Sequence, residues 1–262
     1  MVEGIEVERG GTGVVTVALA RPGKRNAVTL AMWRALKPLF EELGADPAVR
    51  AVILTGRGGH FCAGADISEF ATVRTGPEAV AAYEEAGDGA TAAIRDCPKP
   101  TIAAVSGFGV GGGCGLALAC DLRVGDATTR MGIPAAKRGL VYGTLDTGLL
   151  IRAVGPARAK MVLFTARAFA AADCLRMGML DQMAAEGATA LDAARALAEE
   201  IAANAPISVA GSKFVIGTMA AGEEAAQAAA IHAWQERATA SADYAEASRA
   251  FVEKRPARFT GA

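Results

Sequence analysis

Histidine is almost missing from this chain of 262 residues: His60 and His232 are the only two, far apart in sequence. That argues against a histidine-built metal cage, and no metal is expected. Cysteine occurs five times, at positions 62, 97, 114, 120 and 174, an odd number without C-x-x-C spacing. Reduced thiols in a cytoplasm are the expectation. There is no excess charge of either sign. The net charge is −1 with Lys and Arg dispersed, so the electrostatic footprint of a nucleic-acid or membrane-surface partner is lacking. The N-terminal stretch MVEGIEVERG has early acidic residues and no apolar core segment, so it does not read as a secretion signal.

What is present is apolar residues and glycine. Hydrophobic residues make up 52% of the chain and charged ones 21%, the balance of a soluble globular protein with a substantial core. One large domain, or a domain with an appendage, is expected at this length. The organising stretch is Thr101 to Asp121, TIAAVSGFGVGGGCGLALACD, with no charge up to Cys120 and glycines at 107, 109, 111, 112, 113 and 115. Twenty uncharged residues could span a bilayer. So many glycines would ruin a spanning helix, each costing about 1 kcal/mol relative to Ala. The better reading is a buried strand over Thr101–Val105, a tight glycine loop, and a short buried helix from about Gly113 to Ala119. Such a loop brings bare backbone N–H groups to a ligand, and the helix start adds partial positive charge. It is an anion or oxyanion site.

Gly107, Gly109 and Gly112 fit the dinucleotide pattern G-x-G-x-x-G, with Asp126 as a possible ribose acid. That reading fails because the helix is too short and Asp126 comes too soon after Gly107. No Gly-Lys-Ser/Thr follows, which removes the P-loop.

Along the chain, Ile5–Glu8 and Val14–Leu19 alternate around Gly10-Gly-Thr-Gly13 as a hairpin. Arg21-Pro-Gly-Lys-Arg-Asn26 is a polar loop, either solvated or contacting phosphate. Thr29 caps a helix to about Leu43, which Pro38 should kink or interrupt. Ala51–Thr55 is a strand, and Gly56–Asp66 a second glycine loop leading to a helix at Ile67–Thr72. A helix follows from about Thr75 to Arg95. Short strands are expected at Leu122–Gly125 and Thr129–Met131. One helix should run from Thr144 or Asp146 to Ala153, and another from Pro156 to about Thr165. Helices near 189–203, 206–220, 223–240 and 242–253 complete a layered core with a helical appendage.

His60-Phe-Cys-Ala-Gly-Ala-Asp-Ile67, Lys99-Pro-Thr-Ile-Ala-Ala-Val-Ser-Gly107, Gly111-Gly-Gly-Cys114 and Phe251-Val-Glu-Lys-Arg255 together resemble the enoyl-CoA hydratase/isomerase (crotonase) family. The likeness runs nearly end to end, including Arg21–Ala27 and Arg152-Ala-Val-Gly155. It implies an α/β fold, a crotonase-like spiral of ββα turns with a C-terminal helical trimerisation region. The expected division is a spiral acyl-CoA-binding core over 1–200 and the helical region over 201–262, assembled as homotrimer or homohexamer. It also implies an acyl-CoA thioester substrate, with coenzyme A part of the substrate and no tightly bound cofactor. The thioester oxygen would be held by the backbone N–H groups of Ala65 and Gly112, stabilising an enolate. By the same carry-over Lys24, Arg25 and Ala27 line the phosphate and pantetheine path. Ala63, Asp66 and Ile67 border the adenine, and Phe108 lies near the pantetheine arm.

The family pattern breaks at the acid and base. Hydratases of the family carry two glutamates, and the matching positions here are Gly115 and Ala135. A positioned acid or base contributes roughly 10²–10⁴-fold, so ordinary hydration should be very slow. Tyr142 reads either as a packed aromatic shaping the acyl pocket or as a catalytic group. Its Ala135-Ala … Gly139-Leu-Val-Tyr142 context is similar to the family's methylmalonyl-CoA decarboxylases, which need no carboxylate base. Asp146 reads first as a helix first-turn residue satisfying free N–H groups, and second as a catalytic carboxylate. Cys114 reads as a core residue, His60 as a surface or hydrogen-bonding one, and Tyr83, Glu84 and Glu85 as a solvated face. The expected activity is enolate chemistry on an acyl-CoA, in a lyase or isomerase. An acyl-CoA decarboxylase and a non-catalytic acyl-CoA-binding scaffold are the alternatives.

Overall fold

The computed structural model describes residues 2–262. Ile5–Arg9 (β1) and Val14–Leu19 (β2) form the expected antiparallel hairpin, with Ile5 opposite Leu19. Leu30–Ala45 (α1) leads to Ala51–Gly56 (β3), which lies parallel to β2. The short Phe70–Val73 (α2) and the long Pro77–Asp96 (α3) precede Thr101–Val105 (β4), parallel to β3. Phe108–Val110 (β5), Gly112–Ala119 (α4), Leu122–Gly125 (β6) and Arg130–Gly132 (β7) follow. Then come Thr144–Thr165 (α5), Phe169–Ala170 (β8), Ala171–Met177 (α6) and Gln182–Met183 (β9). The strands form a six-stranded sheet in the order β1-β2-β3-β4-β6-β9 and a small sheet in the order β5-β7-β8.

β2 and β4 are buried along their whole length. Their apolar runs are those of parallel strands covered on both faces. On one face lies α1, whose Met32, Leu36, Phe40 and Leu43 fall three or four residues apart and are fully buried. Each is worth roughly 1.5–3 kcal/mol of burial. The Thr29 hydroxyl accepts from the Met32 N–H at 3.2 Å, the expected cap. Pro38 does not break the helix, contrary to the sequence expectation. Pro38 and Arg34, whose carbonyl loses its donor, both face solvent, where water substitutes. On the other face Ala190–Ala202 (α7) sets Ala190, Ala194 and Ala198 against Ile53, Ile102 and Val124. Its three methyl side chains let the helix lie close to the sheet.

Phe108–Val110, expected as loop, is the strand that carries the small sheet and fixes the glycine segment to β7. The two helices expected on either side of Pro156 are present: α5 is two helical stretches joined at Gly155, whose φ of 74° and ψ of 163° are not helical. Pro206–Ala221 (α8), Ala228–Thr239 (α9) and Ala242–Glu253 (α10) close the chain. They leave Ile216 68%, Phe251 86% and Val252 80% exposed. Among the described residues no helix is long and apolar enough to cross a membrane.

Candidate active site

Two glycine loops meet at the carboxyl ends of β3 and β4. The Phe61 N–H donates to the Ser106 carbonyl at 2.8 Å, the Cys62 N–H to the Phe108 carbonyl at 2.7 Å, and the Val110 N–H to the Cys62 carbonyl at 3.0 Å. Ala63 N–H donates to the Arg25 carbonyl at 2.9 Å, Gly64 N–H to the Cys62 sulfur at 3.3 Å, and Asp66 N–H to the Val28 carbonyl at 2.9 Å. In the run from 61 to 66 only the Ala65 N–H has no hydrogen-bond acceptor among the described residues. In the other loop the Gly111 N–H donates to the Gly132 carbonyl at 2.9 Å, and the Cys114 N–H returns to the Gly111 carbonyl. Gly112 opens α4, where the first N–H groups of a helix have no partner within it.

The two free donors are neighbours. A Cβ built on Gly112 would stand 3.9 Å from the Ala65 nitrogen, and one built on Gly64 would stand 3.2 Å from the Gly112 nitrogen. The sequence dictates this approach. Gly111 has φ 59° and ψ −127°, closed to side-chain-bearing residues, and a Cβ on Gly113 would collide with the backbone of Cys62. Trp33 closes the other side, its ring within 3.2 Å of a Cβ placed on Gly112, and its indole N–H donates to the Tyr83 hydroxyl at 3.1 Å. Tyr83 is therefore buried rather than solvated, a correction to the sequence reading, while Glu84 and Glu85 are exposed. Burial pushes the Tyr83 phenol up to about 12.

Lys24 ends a one-turn 3₁₀ helix, and Arg25 and Asn26 follow in left-handed conformations, φ 48° and 57°. Asn26 is fully buried. Its amide donates to the carbonyls of Arg57 at 2.8 Å and His60 at 2.6 Å, and its oxygen accepts from the Arg21 N–H at 2.9 Å. This side chain clamps the Arg21–Ala27 loop to the Gly56–Asp66 loop. The sequence reading missed it, although an Asn after two cations in a loop signals a left-handed turn. The Arg25 guanidinium lies over the Phe108 ring, 5.2 Å from its centroid. His60 stacks on the same ring and accepts from the Phe108 N–H at 3.3 Å, the hydrogen-bonding role expected of it. Arg25, Ala63 and Phe108 line a cavity of about 260 Å³ shared with Arg138 and Arg167. Lys24 and Ile67 are exposed, and Ala27 is buried.

The Asp66 carboxylate is engaged within the protein. It accepts from the N–H and hydroxyl of Ser68 and pairs with Arg21 at 2.9 Å. These partners hold it below the usual carboxylate range, the Ser68 hydroxyl bond foremost.

Ala135 is buried as a methyl group at the head of the 136–138 turn. The Tyr142 hydroxyl stands 3.5 Å from a Cβ built on Gly111, and burial raises its phenol well above the ordinary value. A protonated hydroxyl thus stands beside the glycine loop. Asp146 does not cap α5: no hydrogen bond to either oxygen exists among the described residues, and its Oδ1 is buried without a partner. The first-turn capping role favoured by the sequence is therefore corrected. The carboxylate points at α4 instead, where a Cβ built on Gly115 would meet Asp146 Oδ1 at 2.7 Å and Oδ2 at 3.4 Å. Burial, reinforced by Asp88 of α3, pushes its pKa up to about 6.

All five cysteines are free and buried. Cys114 lies fully inside, with burial lifting its thiol far above the normal range, which fits a core residue and not a nucleophile. Among the described residues no group of His, Cys, Asp and Glu side chains is placed to hold a metal ion.

The description of this family is also met by comparison with known proteins. The enoyl-CoA hydratase/isomerase family model matches residues 9–262. The short-chain-enoyl-CoA hydratase of Clostridium acetobutylicum is 35% identical over 246 residues, 92% of each chain. The mitochondrial enoyl-CoA hydratase domain-containing protein 2 of Bos taurus is 36% identical over 253 residues, 95% of this chain and 85% of the relative. Among solved structures, an enoyl-CoA hydratase/carnithine racemase from Magnetospirillum magneticum superposes with a TM-score of 0.93 at 34% identity, covering 100% of this chain and 97% of the other. The chain belongs to the enoyl-CoA hydratase/isomerase family and has the crotonase fold.

Proposed function

We propose that the protein binds an acyl-CoA thioester and catalyses a reaction through its enolate, with the thioester oxygen received by the N–H groups of Ala65 and Gly112. The observation that carries this reading is the pair of converging backbone donors, the Ala65 N–H being free in a run from Phe61 to Asp66 whose other amides are all used. Drawing electrons into a thioester carbonyl leaves negative charge on its oxygen, and fixed dipoles in a dry pocket stabilise that charge without reorganising. The α4 N-terminus adds its partial positive charge to the Gly112 donor.

At the coenzyme end, the Arg25 guanidinium on Phe108 and the neighbouring Lys24 supply the cations for phosphate. Phe108 and Ala27 give apolar walls for the pantetheine arm, and Ala63 with the backbone around Asp66 and Ile67 borders the adenine. Simple hydration of a short enoyl-CoA is disfavoured by Gly115 and Ala135. The exposed apolar residues of α8 and α10, among them Ile216 and Phe251, support assembly as a trimer or paired trimers. Cytoplasmic residence fits five unpaired thiols.

Decarboxylation is a second reading, favoured by the Tyr142 hydroxyl beside Gly111. An anionic Asp146 nearby would repel a malonyl-type carboxylate, which leaves the enolate–proton-transfer reading ahead. The test is Ala65→Pro, which deletes one donor. The folded variant should bind free CoA nearly as wild type does and lose turnover by roughly 10²–10³-fold. Full activity in that variant would end the oxyanion reading. Binding without turnover of any acyl-CoA by the wild type, over a panel of enoyl-, malonyl- and hydroxyacyl-thioesters, would favour a scaffold.

A further inference from the structure

The missing carboxylate of α4 has a replacement from another helix. Gly115 lies three residues after Gly112 on α4, on the same side of the helix and about 4.5 Å further along its axis. A side chain at position 115 would therefore begin one turn from the oxyanion donor. That space is filled: the first carbon of such a side chain would meet Asp146 Oδ1 at 2.7 Å. Asp146 comes from the first turn of α5, and its Oδ1 is buried with no hydrogen-bond partner among the described residues. A buried, unpartnered carboxylate is costly and is not retained for helix stability. Gly115 and Asp146 thus explain each other. The glycine leaves room for the carboxylate, and the carboxylate supplies the functional group that the glycine lacks.

We propose that Asp146 is the proton-transfer residue of this enzyme, acting on the carbon next to the thioester carbonyl from the place a residue-115 side chain would occupy. This rests on the enolate reading above. In the forward direction the Asp146 carboxylate takes the α-proton: the C–H bond breaks, its electron pair enters the enolate held by Ala65 and Gly112, and an O–H bond forms on Asp146. In the reverse direction the carboxylic acid returns that proton to carbon. No other reactant is needed for the exchange, and a single group of this kind suits a proton shift along an enoyl chain better than hydration.

The groups facing Asp146 are few. α3 presents Asp88, with Glu84 beside it, and α4 presents Cys114. The segment before α5 presents Tyr142, with Arg138 and Lys137 further out. Apart from those two outer cations, all of these are neutral or negative. They keep the carboxyl poised near neutrality rather than fully ionised at acid pH.

The experiment measures deuterium uptake at the α-carbon of butyryl-CoA in D₂O by NMR, across pH 5–9. It uses the wild type, Asp146→Asn, Asp146→Glu and the double variant Asp146→Ala/Gly115→Glu, with free-CoA binding and thermal melting as controls. The expected result is exchange in the wild type that rises through about pH 6, and at least a hundredfold loss in Asp146→Asn with CoA binding retained. Partial recovery is expected in the double variant, which puts a carboxylate back on α4. Exchange in Asp146→Asn within threefold of wild type, with the same pH dependence, overturns the proposal while leaving the oxyanion reading intact. If Asp146→Asn fails to fold, the double variant and Asp146→Glu decide: both folded, with a lowered rate or a displaced pH profile, support it, and both folded with rate and pH profile identical to the wild type overturn it. A wild type that binds CoA and exchanges no α-proton overturns both readings.

Discussion

Asp146→Asn should make the protein more stable at alkaline pH, and the size of the effect follows from burial. The carboxyl has its pKa raised from 3.8 to about 6, chiefly by desolvation and then by Asp88. The folded state therefore binds this proton more tightly than the unfolded chain does. Stability from this group is fully present below about pH 4 and is lost as pH rises through about 6. A shift of about two units corresponds to about 3 kcal/mol, taken as an upper bound for a partly screened group. Asn keeps the shape and, like the protonated acid, carries one carbonyl oxygen and one donor, but cannot ionise, so it escapes only the charge-dependent part. At pH 8 the variant should gain up to about 3 kcal/mol, or roughly 6–12 °C in Tm for a chain of this size. At pH 4 the two proteins should melt together. Thermal and urea unfolding at fixed protein concentration, over pH 4–8, provides the assay, since assembly would otherwise move Tm. A difference between the proteins that stays constant with pH would refute the assignment of a buried, ionising Asp146.

Arg25→Ala should weaken CoA binding roughly tenfold or more, as expected for a charged contact to phosphate, with Tm nearly unchanged; calorimetric titration with free CoA checks it. Leu36→Ala, at the buried centre of α1, should cost about 2–5 kcal/mol in urea unfolding. Crotonyl-CoA hydration should run several orders of magnitude below that of a glutamate-bearing relative, given about 10²–10⁴ per acid or base. Brisk hydration untouched by Asp146→Asn and Tyr142→Phe would mean that other groups do the chemistry. Sedimentation at micromolar concentration should give a trimer or hexamer, and a stable monomer would contradict the role given to α8 and α10.

Much of the fold was legible because its signals are local. The buried parallel strands read as short apolar runs, Thr29 as a cap, and Gly155-Pro156 as a helix break, and each appears where those residues stand. β5, β8 and β9 were not legible. They span only two or three residues, too few to show a period of two, and exist because the small sheet and the sheet edge pair them. Pro38 misled because its effect depends on which face it occupies, and a solvent face forgives the lost hydrogen bond. In the candidate site, the glycine loops announced backbone donors and the family resemblance named Ala65, and among the amides from Phe61 to Asp66 that N–H alone is left without an acceptor among the described residues. The sequence set Gly115 against the family's glutamate and offered Asp146 only as a second reading, whereas the approach of the Asp146 carboxylate to Gly115 was not visible in it. Gly115 and Asp146 lie on different helices, and nothing in the spacing joins α4 to α5.

Ala65 and Gly112 are proposed to receive the thioester oxygen. A crystal structure of the protein with a non-reactive acyl-CoA analogue tests it directly. The carbonyl oxygen should lie 2.7–3.1 Å from both backbone nitrogens, the span expected of oxyanion donors, with the α-carbon turned toward Asp146. A thioester oxygen bonded elsewhere, with either nitrogen left free or turned to solvent, would contradict it.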